Sequence, residues 1–248
     1  MATLCTNDRP EGPCYFGYGL RPRQARRRIE IMWVKICGIC DRTTADQVAD
    51  LHPDAIGLNF YAQTPRRIDP RTAAQIVDSL PESIEPVGLF VNHSLDEVIE
   101  RTEQCSITTV QLHGDETPEF LAELKARCPE LKLLRALRVG DEGCGAVADY
   151  LAECRTLGVC LAGCLIDARV AGSYGGTGHT APWDLLADQY DSARWPRLIV
   201  AGGLTPDNVA DAIRVTAPYG VDVASGVESA KAVKDLELVK RFIAAARL

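Results

Sequence analysis

Two side chains able to move protons occupy matching places in the chain. Cys37 closes the apolar run Ile31–Ile36, and Asp167 closes the run Cys160–Ile166. A thiol with an ordinary pKa of about 8.5 must have its thiolate favoured to act as a base near neutrality, and a carboxyl of about 3.9 must have its acid form favoured to donate. As a pair they suit acid–base work on opposite sides of one small molecule. Arg66, in Thr64-Pro65-Arg66, offers a planar fork for a carboxylate. Gln111 and His113 flank Leu112 in Val110-Gln111-Leu112-His113-Gly114, and alternate residues of a strand share a side, so these two are expected to face a pocket together while Leu112 points away.

Four glycine-bearing segments also follow apolar runs: Cys37-Gly38-Ile39, Gly172-Ser173-Tyr174-Gly175-Gly176-Thr177-Gly178, Ala201-Gly202-Gly203-Leu204 and Ala224-Ser225-Gly226-Val227-Glu228. Glycine permits positive φ and lets backbone amides approach a ligand, and amides near a helix start cradle anionic oxygens. Consecutive clusters of this kind predict a phosphate held by Gly176, Gly178, Gly202, Gly203, Ser225 and Gly226. Neither a GxGxxG after a first strand nor a GxxxxGK[ST] segment is present, so dinucleotides and P-loop nucleotides are not indicated.

Each signal has a plainer alternative: a core thiol, a loop aspartate, a surface arginine, a hydrogen-bonding histidine, a tight turn. Cys37-Gly38-Ile39-Cys40 also has CxxC spacing. A thioredoxin-like unit would leave six further βα units unexplained, and a structural zinc site wants a second cysteine pair, for which Cys5 and Cys14 are poorly spaced. His52, His93 and His179 form no ligand cluster with His113 by spacing, so no metal site is expected.

The elements that must position these residues alternate regularly. Short runs rich in Val, Ile and Leu predict strands at Ile31–Ile36, Ala55–Phe60, Pro86–Val91, Thr108–Leu112, Lys132–Ala136, Cys160–Ile166, Arg197–Val200 and Gly220–Ala224. Amphipathic stretches predict helices at Thr43–Leu51, Pro70–Leu80, Leu95–Glu103, Pro118–Arg127, Gly145–Thr156, Trp183–Asp188, Pro206–Val215 and Asp235–Ala245. Asp69-Pro70, Thr117-Pro118 and Thr205-Pro206 each join a capping side chain to a proline at the first helical position. Eight strands with eight following helices predict an α/β fold of the closed (β/α)8 TIM-barrel class. A doubly wound open sheet is the alternative, and both put function at the carboxyl ends of the strands.

Residues 1–30 differ from the rest, with Pro10, Pro13, Pro22, Gly12, Gly17 and Gly19 ahead of the run Arg26-Arg27-Arg28. They read as a loosely ordered extension or one packed on the barrel bottom, leaving 31–248 as the catalytic domain. Met1 to Arg28 contains no apolar core of signal-peptide type, and no stretch approaches the ~20 apolar residues of a membrane span, so a cytoplasmic protein is expected. The net charge of −7 argues against nucleic acid or an anionic membrane as main partner. With no export signal the ten cysteines read mainly as free thiols, and Cys105, Cys128, Cys154, Cys160 and Cys164 in or beside apolar segments read as small hydrophobes.

From Ile31 to Leu248 the sequence resembles the phosphoribosylanthranilate isomerase family. The resemblance rests on Val34-Lys35-Ile36-Cys37-Gly38-Ile39, Gly57-Leu58-Asn59-Phe60-Tyr61, Thr64-Pro65-Arg66, Val87-Gly88-Leu89-Phe90-Val91-Asn92 and Val110-Gln111-Leu112-His113-Gly114, then on Asp167, Gly175-Gly176-Thr177-Gly178, Ala201-Gly202-Gly203-Leu204-Thr205-Pro206 and Gly220–Glu228, in that order. It implies a phosphate-binding barrel, working without a cofactor as a monomer or homodimer in tryptophan biosynthesis. The implied reaction turns N-(5-phosphoribosyl)anthranilate into 1-(2-carboxyphenylamino)-1-deoxyribulose 5-phosphate by an Amadori rearrangement. By the same resemblance Asp167 is the general acid, Cys37 the general base, Arg66 the holder of the anthranilate carboxylate, and Asp222 a contact to the substrate amine or sugar.

The chain departs from the family pattern at Ala181-Pro182, where Phe-Asp is common, and at Lys231-Ala232, where Pro-Gly is common. Among relatives with similar barrels, the histidine-pathway isomerase has a carboxylate where Cys37 stands, and the lysine pattern of indoleglycerol-phosphate synthase is not evident. A noncatalytic phosphate-binding barrel is the alternative from a different class.

Overall fold

Parallel strands buried on both faces dictate the architecture. The computed structural model describes residues 32–140, 142–167 and 183–248. Strands β1 (Trp33–Cys37), β2 (Ala55–Asn59), β3 (Glu85–Phe90), β4 (Thr109–Leu112), β5 (Lys132–Arg138), β6 (Gly163–Asp167), β7 (Leu198–Ala201) and β8 (Gly220–Val223) pair in chain order and close on themselves. Every neighbouring pair is parallel, including β1 with β8, so the sheet has no open edge. The open doubly wound alternative is therefore excluded, and the fold is a (β/α)8 TIM barrel.

Side-chain alternation then sorts the residues. Val34, Ile36, Ile56, Leu58, Phe90, Val110, Leu112 and Ile166 join the core shared by strands and helices. Ala55, Val87, Leu134, Ala136, Leu165, Ile199 and Ala201 form a separate apolar cluster, against which Trp33 and Tyr219 pack. The buried polar residues Lys35, Gln111 and Asp222 sit in the alternating set opposite to the outward hydrophobes, as Cys37, His113 and Asp167 do.

Helices α1 (Arg42–Ala49), α2 (Pro70–Val77), α3 (Leu95–Gln104), α4 (Pro118–Arg127), α5 (Gly145–Thr156), α6 (Trp183–Gln189), α7 (Val209–Thr216) and α8 (Leu236–Ala246) follow the strands. The Asp69-Pro70 and Thr117-Pro118 starts cap as expected, with Asp69 accepting from the Thr72 N–H and Thr117 from the Phe120 N–H. The regular turns of α7 begin at Val209, three residues later than Thr205-Pro206 leads one to expect. Thr205 nonetheless caps: its O accepts from the Val209 N–H at 3.1 Å and its Oγ1 from the Asp207 N–H at 3.3 Å, while Asn208 Oδ1 accepts from the Thr205 N–H at 2.8 Å. A second correction concerns Cys160: β6 begins at Gly163, and Cys160 is exposed, whereas Cys105, Cys128, Cys154 and Cys164 are buried as expected. Among the described residues no helix is long and apolar enough to cross a membrane.

One buried ion pair braces the rim. Arg135 points outward from β5, and its guanidinium donates to Leu112 O at 2.9 Å, Gly114 O at 2.9 Å and Glu116 Oε2 at 3.0 Å. Glu116 in turn accepts from the Asn92 N–H at 2.8 Å and the Gly114 N–H at 2.9 Å, which joins the loops after β3 and β4. Both side chains are almost fully buried. Removing one partner leaves the other as an uncompensated buried charge, so Arg135→Met is expected to cost about 3–5 kcal/mol. Arg214→Ala, which breaks the exposed Arg214–Asp211 pair, should cost less than about 1 kcal/mol in the same urea-unfolding measurement.

Candidate active site

A pocket of about 560 Å³ opens at the carboxyl ends of the strands. Cys37, Arg66, Gln111, His113, Asp167, Asp222, Gly202, Gly203, Ser225 and Gly226 all line it, so these ten residues chosen from the sequence converge on one cavity. Gly176 and Gly178 lie outside the described residues, as do Ala181 and Pro182.

Cys37 ends β1 opposite Gly57 of β2. Gly38 leaves the strand at φ +81°, a conformation that suits glycine, and the N–H groups of Gly38 and Ile39 both donate to Gly57 O, at 2.9 and 3.1 Å. A Cβ on Gly38 would also sit 2.5 Å from Arg66 Cδ, so the glycine makes room for the arginine stem. Burial pushes the Cys37 thiol up from its ordinary pKa, while Lys35 and Lys234 pull it down and Asp222 adds to the rise; the net direction is up. Cys40, the other half of the CxxC, turns its Sγ toward Gly38 O at 3.6 Å.

Beneath the thiol, Lys35 is fully buried and donates to Asp222 Oδ1 at 2.9 Å across the β1–β8 register. Gln111 Nε2 and His113 Nδ1 lie 3.0 Å apart, which holds the imidazole from its Nδ1 side. Burial lowers the His113 pKa despite the nearby Asp167 and Asp222, so the ring is neutral near pH 7. Gln111 Oε1 is buried and has no hydrogen-bond partner among the described residues, leaving an acceptor for a ligand.

Arg66 is pinned in place. Its Nε and Nη2 donate to the two carboxylate oxygens of Glu228 at 2.7 Å each. Glu228 belongs to β9 (Glu228–Ala230), which pairs with β10 (Val233–Lys234) beyond a 3-10 turn at Ser225–Val227. Lys234 Nζ donates to Glu228 Oε1 at 2.9 Å and to Ala224 O at 2.8 Å. Burial would raise the Glu228 carboxyl, and the bonds from Arg66 and Lys234 more than reverse it, bringing it down to about 2.

Gly202 and Gly203 turn out of β7 at φ +85° and +67°. A Cβ on Gly226 would lie within the contact distance of Leu204 O, so that glycine lets the loops after β7 and β8 close on each other. The arrangement sets a thiol, a carboxylate, a guanidinium edge and glycine-rich backbone around one cavity. Among the described residues no group of three or more His, Cys, Asp or Glu is placed to hold a metal ion.

Lys35, Glu228, Lys234 and Arg138 have no expected role among the sequence motifs. Lys35 carried a usable signal, being a lone charge inside an apolar strand and two residues before Cys37. The Arg66–Glu228–Lys234 contact joins distant parts of the chain and has no local signal. Arg138 lines the pocket because β5 runs two residues further than expected.

Residues 34–245 match the N-(5'phosphoribosyl)anthranilate (PRA) isomerase family. The chain belongs to this family. An N-(5'-phosphoribosyl)anthranilate isomerase of Trichlorobacter lovleyi is 42% identical over 211 residues, covering 85% of this chain and 95% of the relative. The crystal structure of phosphoribosyl anthranilate isomerase from Thermotoga maritima superposes with a TM-score of 0.76 at 32% identity, covering 87% of this chain and 98% of the other. A second isomerase structure, in complex with reduced 1-(o-carboxyphenylamino)-1-deoxyribulose 5-phosphate, gives a TM-score of 0.73 at 30% identity, with 87% and 98% covered.

The departure from the phosphoribosylanthranilate isomerase pattern at Lys231-Ala232 has a structural consequence. These residues link β9 to β10, and Ala232 takes φ +64° while its N–H donates to Glu228 Oε2 at 3.2 Å. Positive φ at the second central residue is where a type II turn wants glycine, after proline at the first. The backbone thus keeps the Pro-Gly shape without the residues that favour it. Ala232→Gly is expected to stabilise the protein by roughly 1 kcal/mol, read as a higher urea midpoint with unchanged slope.

Proposed function

We propose that this chain converts N-(5'-phosphoribosyl)anthranilate to 1-(2-carboxyphenylamino)-1-deoxyribulose 5-phosphate, with Asp167 as general acid and Cys37 as general base. The observation that carries the reading is the convergence of both groups, Arg66 and the glycine loops after β7 and β8 on one pocket of a family member. Asp167 gives a proton to the ring oxygen of the sugar as the C1–O bond breaks, and the amine lone pair fills in to form an iminium. That cation acidifies the proton on C2, which Cys37 removes. The C–H electrons form the C1=C2 bond of an enolamine, which becomes the ketone by losing the hydroxyl proton and gaining one at C1. Hydrogen moves only as protons within one molecule, and each step needs a group of fitting charge on the correct side.

Arg66 receives the anthranilate carboxylate. Glu228 occupies Nε and one Nη2 hydrogen, so the Nη1 edge and the remaining Nη2 hydrogen are the donors for substrate. Gln111, His113 and Asp222 contact the sugar and amine, and Gly176, Gly178, Gly202, Gly203, Ser225 and Gly226 receive the phosphate. The protein acts in tryptophan biosynthesis as a cytoplasmic monomer or homodimer. Residues 1–30 form an extension outside the catalytic domain 31–248, a reading supported by a family match that starts at residue 34.

Loss of anthranilate fluorescence on adding fresh phosphoribosylanthranilate tests the reaction. Cys37→Ala and Asp167→Asn are each expected to lower kcat/KM by about 10²–10⁴-fold. Arg66→Ala should act mainly on KM, raising it by about tenfold or more, the worth of a charge-assisted hydrogen bond. A folded wild-type protein that does not exceed the spontaneous rate with verified substrate overturns the proposal.

A further inference from the structure

We propose that Lys35, clamped by Asp222 below the pocket, is a positioning residue that makes the Cys37 thiol competent as a base. The inference rests on the reading of Cys37 as the base. Lys35 is 0% exposed, and an ammonium in such a place carries a desolvation penalty that an apolar residue in the same strand would avoid. Its carboxylate partner, Asp222 Oδ1 at 2.9 Å, cancels the charge and uses one of its three donors.

The other donors have a neighbour above them. Cys37 follows Lys35 by two residues in β1, so the two side chains rise on the same face. On the adjacent strand, a Cβ placed on Gly57 would lie 2.7 Å from Cys37 Sγ and 3.1 Å from Lys35 Nζ. Thiol and ammonium therefore crowd one point that any other residue at 57 would fill. The absent side chain is what lets the cation sit beside the sulfur.

The charged groups around Cys37 come from four elements. Lys35 of β1 and Lys234 of β10 favour the thiolate, Asp222 of β8 opposes it, and Arg66 after β2 adds a cation already committed to Glu228. Burial opposes the thiolate more strongly than any of them. Without Lys35, burial and Asp222 act together against ionisation. Without the Asp222 charge, the thiolate becomes the counter-ion of Lys35. The two substitutions should therefore move the thiol in opposite directions, which a purely structural role of the pair would not do.

The test follows alkylation of Cys37 by iodoacetamide against pH in the full-length protein, with Cys37 resolved from the other cysteines by peptide mass mapping, alongside the pH profile of kcat/KM. Lys35→Met is expected to slow Cys37 alkylation about tenfold at fixed pH, a displacement of about one pH unit upward, and to move the alkaline rise of kcat/KM the same way. Asp222→Asn should displace the alkylation profile to lower pH, which keeps the proposal testable if Lys35→Met does not fold. An unmoved alkylation profile in Lys35→Met, or an upward displacement in Asp222→Asn, overturns the role of Lys35. A displaced alkylation profile with an unmoved activity profile instead overturns Cys37 as the base.

Discussion

The site depends on the two-residue period of a strand inside a closed barrel. Closure leaves every strand with one face toward the helices and one toward the axis, so the parity of a residue decides its fate. In β1 the odd positions are Trp33, Lys35 and Cys37, and the even positions Val34 and Ile36 are wholly buried against the helices. The same rule brings Gln111, Asp167 and Asp222 toward one cavity although they are far apart in sequence. A one-residue slip in any strand would send its functional group into the outer core.

This parity explains what could be read in advance. The alternation of apolar runs with amphipathic stretches is enough for eight strands and eight helices, and the residues at strand ends for ten of those that line the pocket. Periodicity does not tell where a strand stops, so Arg138 falls beyond the expected end of β5 and Cys160 inside the expected span of β6. Thr205-Pro206 carries the same start signal as Asp69-Pro70, and Thr205 does cap, but the regular helix waits until Val209. Ion pairs such as Arg66–Glu228 and Arg135–Glu116 join separate loops, and no local pattern announces them.

The charged groups divide the work. Arg135 and Glu116 hold the loops after β3 and β4 from outside the barrel. Glu228 and Lys234 hold Arg66 from the loop after β8, and Ala232 keeps the turn between them in a glycine-like conformation. Lys35 and Asp222 form an ion pair beneath the Cys37 thiol. Such buried pairs add little net stability compared with hydrophobic packing, so their value lies in the arrangement they impose.

The division of roles between Cys37 and Asp167 can be read from the isotope effect of substrate deuterated at C2 of the sugar, in single turnovers with enzyme in excess. The account predicts a primary isotope effect in Cys37→Ser, where removal of the C2 proton limits the rate, and none in Asp167→Asn, where ring opening limits it. A primary effect confined to Asp167→Asn would contradict the assignment of base and acid.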